Sequence, residues 1–313
     1  MVVGLLWLDL GTLSLEKKAL AQAPTAQTPA NQNPPPAGKK KENPLAFRLE
    51  TVTTKDGVPI AFGYFPSDKG NKAVPVILLH EWKGAAPPYS PLALELQKAG
   101  CAVVTPDLRG HGGSRTYTDP RGQQKTFDLS RMTRQDVQAM LARDIEAIKG
   151  FLKTENDAEK LNLNALTLIG FGEGGILAAN YAVLDWNFTD IGEKKQSKDV
   201  RAIVAVSPER VFLGTTFDLG VRHPFVSRLP WLIMAGEQSG QASEAEKLHK
   251  QLDRLRKTGP TAGPADLVLL PSSFSSVRLV RETRDCIPRI VNFVKVQVID
   301  NQDKFPWVNR SVD

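Results

Sequence analysis

A chain of 313 residues that is 41% hydrophobic and 24% charged has the make-up of an ordinary globular protein, long enough to bury one large core. Its net charge of +6 is mild and its basic residues alternate with acidic ones, as in Arg281, Glu282, Arg284 and Asp285. No nucleic-acid partner is therefore expected, and Arg278, Arg281 and Arg284 read as a solvated stripe on a late helix. No apolar run approaches the roughly 20 residues that span a bilayer, so no integral membrane segment is expected.

The chain opens with two segments of different character. Met1 to Leu8 is apolar, and Ala19-Leu20-Ala21 ahead of Gln22 has the small-residue form of a signal-peptidase site. Residues 1–21 are read as a candidate signal peptide, which implies export to the periplasm or cell envelope. Against this, no Lys or Arg precedes the apolar run, and Asp9, Glu16, Lys17 and Lys18 interrupt it, so cytoplasmic residence stays open. Residues 22–44 are rich in Ala, Gln, Pro, Asn and Lys, with Pro34-Pro35-Pro36 and Lys39-Lys40-Lys41. Such a stretch has too little apolar surface to offset the entropy of ordering it and is expected to be a disordered linker.

Residues 45–313 are expected to form one domain without a large cap. Ala46 to Thr54 and Val58 to Phe65 alternate around Asp56-Gly57, the pattern of an antiparallel hairpin at a sheet edge. The pattern then changes. Val74 to His80, Cys101 to Pro106, Leu166 to Gly170, Ala202 to Val206, Trp231 to Ala235 and Leu267 to Leu270 are short continuous apolar runs, as strands buried on both faces should be. Helical periods lie between them: Pro91 to Ala99; a long one through Val137, Leu141, Ile145, Ile148 and Leu152; Ile176 to Trp186; Leu248 to Leu255; and Ile287 to Val294. The expected class is α/β, a three-layer α/β/α sandwich around a mostly parallel eight-stranded sheet.

Two cysteines, Cys101 and Cys286, make no disulfide framework and read as small buried residues. The four histidines, His80, His111, His223 and His249, have no zinc-site spacing, so neither a metal nor a cofactor is implied. The informative stretch is Leu166 to Ala179, LTLIGFGEGGILAA, an apolar strand that runs through close-set glycines into a helix. Gly170 and Gly174 hold the outer positions of a G-x-S-x-G elbow, and Gly172 stands where that turn carries its nucleophile.

Three blocks in order, ILLHEWKG (77–84), VVTPDLRGHGGS (103–114) and the elbow, resemble the α/β-hydrolase fold superfamily. The His-Glu-Trp-x-Gly form of the first is similar to the dienelactone-hydrolase branch. The resemblance covers about residues 45–298. In that family the elbow residue attacks, a histidine after the last strand acts as base and an acid after the preceding strand orients it. By resemblance the acid position falls on Ser239 and the histidine position on Phe274, and no histidine follows His249. Glu81, Trp82 and Glu173 then mark a vestigial oxyanion hole, the ligand-binding region that remains. Glu173 is not expected to be a nucleophile: on so sharp a turn, one residue's shift points the side chain elsewhere. Its expected role is at the start of the helix, where a carboxylate suits the dipole. His80 and His111 are expected to bond loop backbone, and His223 and His249 to lie at the surface.

Gly172, Ser239 and Phe274 together imply a degenerate triad and a pseudoenzyme that binds an unidentified small molecule or protein. Two alternatives stand beside it. One is a serine-independent or rearranged-site hydrolase of esters or other acyl compounds; the other is a tethered interaction module of the cell envelope.

Overall fold

The computed structural model describes residues 45–189, 195–257 and 261–311. The candidate signal peptide and linker lie outside the described residues. The chain starts with a hairpin, β1 (Arg48–Thr53) and β2 (Pro59–Phe65), closed by a turn in which Thr54 N–H donates to Val58 O and Thr54 Oγ1 accepts from Val58 N–H. Strand β3 (Val74–Leu79), helix α1 (Ser90–Lys98) and strand β4 (Cys101–Pro106) follow. A small exposed hairpin comes next, β5 (Thr116–Thr118) with β6 (Gln124–Thr126); its short polar strands lack the apolar runs by which the other strands are recognised.

The long helical period resolves into three pieces. Helix α2 (Arg134–Ala139) begins at a capping box made by Thr133 and Asp136, Met140–Ile145 is a π-helical turn, and α3 (Glu146–Asp157) continues beyond it. Strand β7 (Leu166–Phe171) leads into α4 (Glu173–Asn187). The rest of the chain adds β8 (Val200–Val206), the short α5 (Asp218–Arg222), β9 (Trp231–Gly236), α6 (Ala242–Arg256), β10 (Ala265–Leu270), α7 (Ser276–Glu282) and α8 (Cys286–Gln297). Arg278 and Arg281 share α7, whereas Arg284 falls in the turn before α8, so the expected arginine stripe is split.

Eight strands form one sheet in the order β1-β2-β4-β3-β7-β8-β9-β10, with β1 and β2 antiparallel to their neighbours and the remaining pairs parallel. Alternate residues of each central strand supply two cores. Ile77, Leu168, Ile203 and Ile233 pack with α3, α4 and α6 on one face; Leu78, Ile169, Val204 and Leu232 pack with α1 and α8 on the other. Both faces are covered, which is why these strands read as unbroken apolar runs; each buried Leu or Ile contributes about 1.5–3 kcal/mol. Cys101 and Cys286 are free and buried in the second core. Among the described residues no helix is long and apolar enough to cross a membrane.

A strap closes the edge of the sheet where the parallel strands begin. The side-chain amides of Asn162 and Asn156 donate to Phe305 O (2.6 Å) and Val308 O (3.0 Å), and that of Asn164 to Pro306 O. Arg310 then reaches Asp199 at 2.6 Å, where Lys149 bridges Asp199 (2.9 Å) and Asp185 (2.5 Å). All four charged groups are buried. Burial alone would raise Asp199, but Lys149 and Arg310 hold its carboxyl below the usual carboxylate range.

Candidate functional site: an elbow without a nucleophile

The parallel strands end at the opposite edge, and the elbow sits there between β7 and α4. Its outer glycines are required by close approach. A Cβ on Gly170 would lie 2.1 Å from Gly174 O, and one on Gly174 would lie 2.2 Å from Leu79 O. Gly172 itself has φ 54° and ψ −123°, a left-sided turn that a side chain adopts only under strain, and its N–H donates to Val206 O at 2.9 Å. The turn thus has the shape of a nucleophile elbow. A Cβ at Gly172 would meet Glu81 Cβ at 3.0 Å and Ser276 Oγ at 3.1 Å, so these two side chains crowd the position.

The loop after β3 brings Glu81 and Trp82 to this turn. Glu173 plays a larger part than a helix start. Its carboxylate Oε2 accepts the Trp82 backbone N–H at 2.9 Å, across 91 residues of sequence. An internal carboxylate therefore occupies a backbone donor beside the elbow. Glu81 turns its own carboxylate to the Tyr89 hydroxyl, which donates to it; Tyr89 is stacked on Phe171 with ring centroids 4.1 Å apart. Burial first, and Glu81 second, push the Tyr89 hydroxyl far above its ordinary range, so it stays a donor.

His80 and His111 hold loops. His80 Nδ1–H donates to Glu81 O (2.7 Å) while Nε2 accepts Leu108 N–H (3.2 Å). His111 Nδ1–H donates to Arg109 O (3.0 Å) while Nε2 accepts Lys83 N–H (3.2 Å). The tautomers follow from these partners, since each Nε2 faces a backbone donor. Burial, with His111 alongside, pushes His80 down to about 4, and burial lowers His111, so both rings are neutral at pH 7. The Trp82 ring packs edge-on to His111 (4.8 Å) and against Phe212 (5.0 Å). Below them Arg109 is clamped by Asp144 Oδ1 at 2.5 Å and Asp56 at 2.9 Å; Asp144 is supplied by the π-helical turn.

Ser239 and Phe274, where the resemblance implies acid and base, both make local contacts. Ser239 donates both its N–H (3.0 Å) and its hydroxyl (2.7 Å) to Gly236 O, closing a local turn. Phe274 lies under the Arg278 guanidinium at 4.1 Å. The other two histidines are remote. His223 Nε2–H donates to Asn187 Oδ1 at the far end of α4, and His249 bonds Ala265 O at the start of β10. Among the described residues no group of three or more His, Cys, Asp or Glu is gathered to hold a metal.

Two residues at the elbow were not anticipated. Ser276 has φ 45° and donates its N–H to Ser207 Oγ at 2.8 Å; Ser207 has φ 51° and is fully buried. Neither stood out in the sequence, because one follows an ordinary strand and the other ends a run of serines. What brings them together is the meeting of the loops after β8 and β10 in space. Chemically, the region offers two carboxylates, the hydroxyls of Tyr89, Ser207 and Ser276 and an aromatic wall, while the ring nitrogens of His80 and His111 are taken up by backbone. A cavity of about 710 Å³ opens at the other sheet edge beneath the strap, lined by Lys72, Gly100, Asn162, Phe305 and Trp307 among others.

The same sheet is found in solved structures. The chain is 18% identical to an esterase of Pyrococcus furiosus, with a TM-score of 0.54 over 81% of this chain and 92% of that one. It is 15% identical to a dienelactone hydrolase of Anabaena variabilis, with a TM-score of 0.54 over 82% and 97%. It is also 16% identical to EstE1, a thermostable carboxylesterase cloned from a metagenomic library, with a TM-score of 0.55 over 83% and 90%. At these identities the likeness is one of fold. No curated protein matches the chain. The family model described as alpha/beta hydrolase family matches residues 76–293, from the strand before the Glu81 loop to the last helix, and with the elbow and its sheet it establishes that the chain belongs to that family.

Proposed function

We propose that this chain is a non-catalytic member of the α/β-hydrolase family whose elbow region serves binding of a small molecule or a protein. The observation that carries this reading is the Glu173 carboxylate on the Trp82 N–H, 2.9 Å from it, beside a nucleophile position with no side chain. A site that stabilises an oxyanion keeps its donors free for charge that develops in the transition state. Here the Glu173 carboxylate holds the donor, and an anion bound there would have to displace it. The missing imidazole adds to this, since loss of a triad costs about a million-fold in turnover.

The test is exposure of the full-length protein to a short-chain nitrophenyl ester and to a fluorophosphonate probe. Neither a burst of nitrophenol nor a labelled residue is expected; a burst with stoichiometric labelling would refute the reading. One observation favours a rearranged-site hydrolase as the second reading: the Ser276 hydroxyl lies 3.1 Å from the point a Gly172 Cβ would occupy. Labelling of wild type that vanishes in Ser276→Ala would establish that alternative.

A further inference from the structure

Among the described residues, strand β1 ends the eight-stranded sheet and has a strand partner on one side only. What its other side presents follows from the hairpin. Thr54 N–H donates to Val58 O at 2.9 Å, which makes these two a hydrogen-bonded pair. Such pairs alternate with non-bonded ones along an antiparallel ladder. Val52, Glu50 and Arg48, opposite Ile60, Phe62 and Tyr64, therefore direct their backbone groups to β2, and Thr53, Thr51 and Leu49 direct theirs outward. Pro59, which has no N–H, fits this alternation, because it stands opposite Thr53 in a non-bonded pair.

The outward edge is also apolar. Leu49 is 76% exposed, and Phe47, just before the strand, is 54% exposed. Sheet edges are commonly guarded by charged side chains, proline or a bulge; the strand Arg-Leu-Glu-Thr-Val-Thr has neither proline nor bulge, and its two charges are of opposite sign.

We infer that this edge pairs with the same edge of a second copy, antiparallel about a two-fold axis through Leu49. A ladder across such an axis must set outward-facing residues opposite one another, which only an axis through a residue of the strand allows. An axis at Arg48 would place arginine against arginine, and one at Glu50 would place glutamate against glutamate. An axis at Thr51 or Val52 pairs no charges. Centred on Leu49, the register sets Arg48 against Glu50 of the second copy twice, in non-bonded pairs where side chains are closest. The bonded pairs are then Leu49 with Leu49 and, on either side, Phe47 with Thr51. Arg48 and Glu50 are already aligned on one face, 3.2 Å apart within the chain, with the Arg48 side chain, 42% exposed, resting its guanidinium on the Tyr64 ring and its Nη2 also 3.4 Å from Glu155. Leu49 meets its own copy on the opposite face. The charge pattern of the strand is thus self-complementary in the one register that also buries its most exposed leucine. No elbow residue takes part, so the pairing stands apart from the reading of the site.

The test is the mass of the full-length chain in solution by light scattering. A dimer is expected. Leu49→Pro removes an outward N–H and the exposed leucine side chain but no bond from β1 to β2, so it should leave β1 on β2 and give a folded monomer. Glu50→Arg sets arginine against arginine and should weaken the dimer at least tenfold, and the reversal Arg48→Glu with Glu50→Arg should restore it. Leu49→Cys should form a disulfide between copies under mild oxidation, since bonded partners have Cα atoms about 5.5 Å apart; Thr51→Cys, which faces Phe47, should not. A monomeric wild type, a dimer indifferent to Glu50→Arg, or cross-linking through position 51 in preference to 49 would overturn the proposal.

Discussion

Placing a serine at Gly172 asks whether the elbow is a dormant active site or a turn that has closed over. The backbone at φ 54° and ψ −123° suits glycine; holding a side chain there costs about 1–3 kcal/mol. The new Cβ would also press on Glu81 Cβ at 3.0 Å and on the Ser276 hydroxyl at 3.1 Å, contacts tight enough that one neighbour must give way. For a chain of this size each kcal/mol lowers the melting temperature by about 2–4 °C, so Gly172→Ser should melt roughly 2–12 °C below wild type. Gly172→Ala should fall by a similar amount, because the strain belongs to the Cβ and not to the hydroxyl. No ester hydrolysis should accompany the change, since the rings of His80 and His111 are committed to backbone and the other two histidines lie at remote partners. Circular-dichroism melts and nitrophenyl acetate turnover measure the two outcomes. A Gly172→Ser protein as stable as wild type, or one that turns over ester with a burst, would refute the argument.

Glu173→Ala should free the Trp82 N–H at a cost of about 1–2 kcal/mol from the lost charge-assisted bond and first-turn carboxylate. Acetate should then raise the melting temperature of the variant and leave wild type unchanged; an equal response in both would count against an internally filled donor. His80, held near 4 when folded against 6.5 in its unperturbed state, gains its proton more readily in the unfolded chain. Stability should therefore fall as pH drops from about 6.5 to 4, by roughly 3 kcal/mol from this group. Urea midpoints against pH should show that limb flattened in His80→Gln, and an unchanged slope would refute the assignment. Asp144→Ala leaves the buried Arg109 with Asp56 alone and should cost toward the lower end of about 3–5 kcal/mol in urea unfolding; a loss under about 1 kcal/mol would show the clamp to be unimportant.

How far these features could be read in advance depended on whether their cause is local. The central strands were legible because both faces are buried, and Leu166–Phe171 followed by glycines announced the elbow. Strand β8 starts two residues earlier than its apolar run, at Val200, because Arg201 is accommodated between the rings of Trp186 and Phe305. The π-helical turn at Met140–Ile145 was invisible, since one inserted residue hardly disturbs a 3.6-residue period. Ser239 and Phe274 could be placed only by strand order. The bond from Trp82 to Glu173 and the arrival of Ser276 over Gly172 depend on loops from three strands converging, which no spacing along the chain encodes.

The strap has a consequence for how the protein is made. Asp199 leaves the ribosome 111 residues before Arg310, the partner that completes its charge cluster. At about 5–20 residues per second this is a wait of roughly 5–20 seconds, in which Lys149 and Lys195, both made before Asp199, are its ion-pair partners. Strand β8, which begins beside Asp199, is therefore complete well before the residue that seals that edge is made.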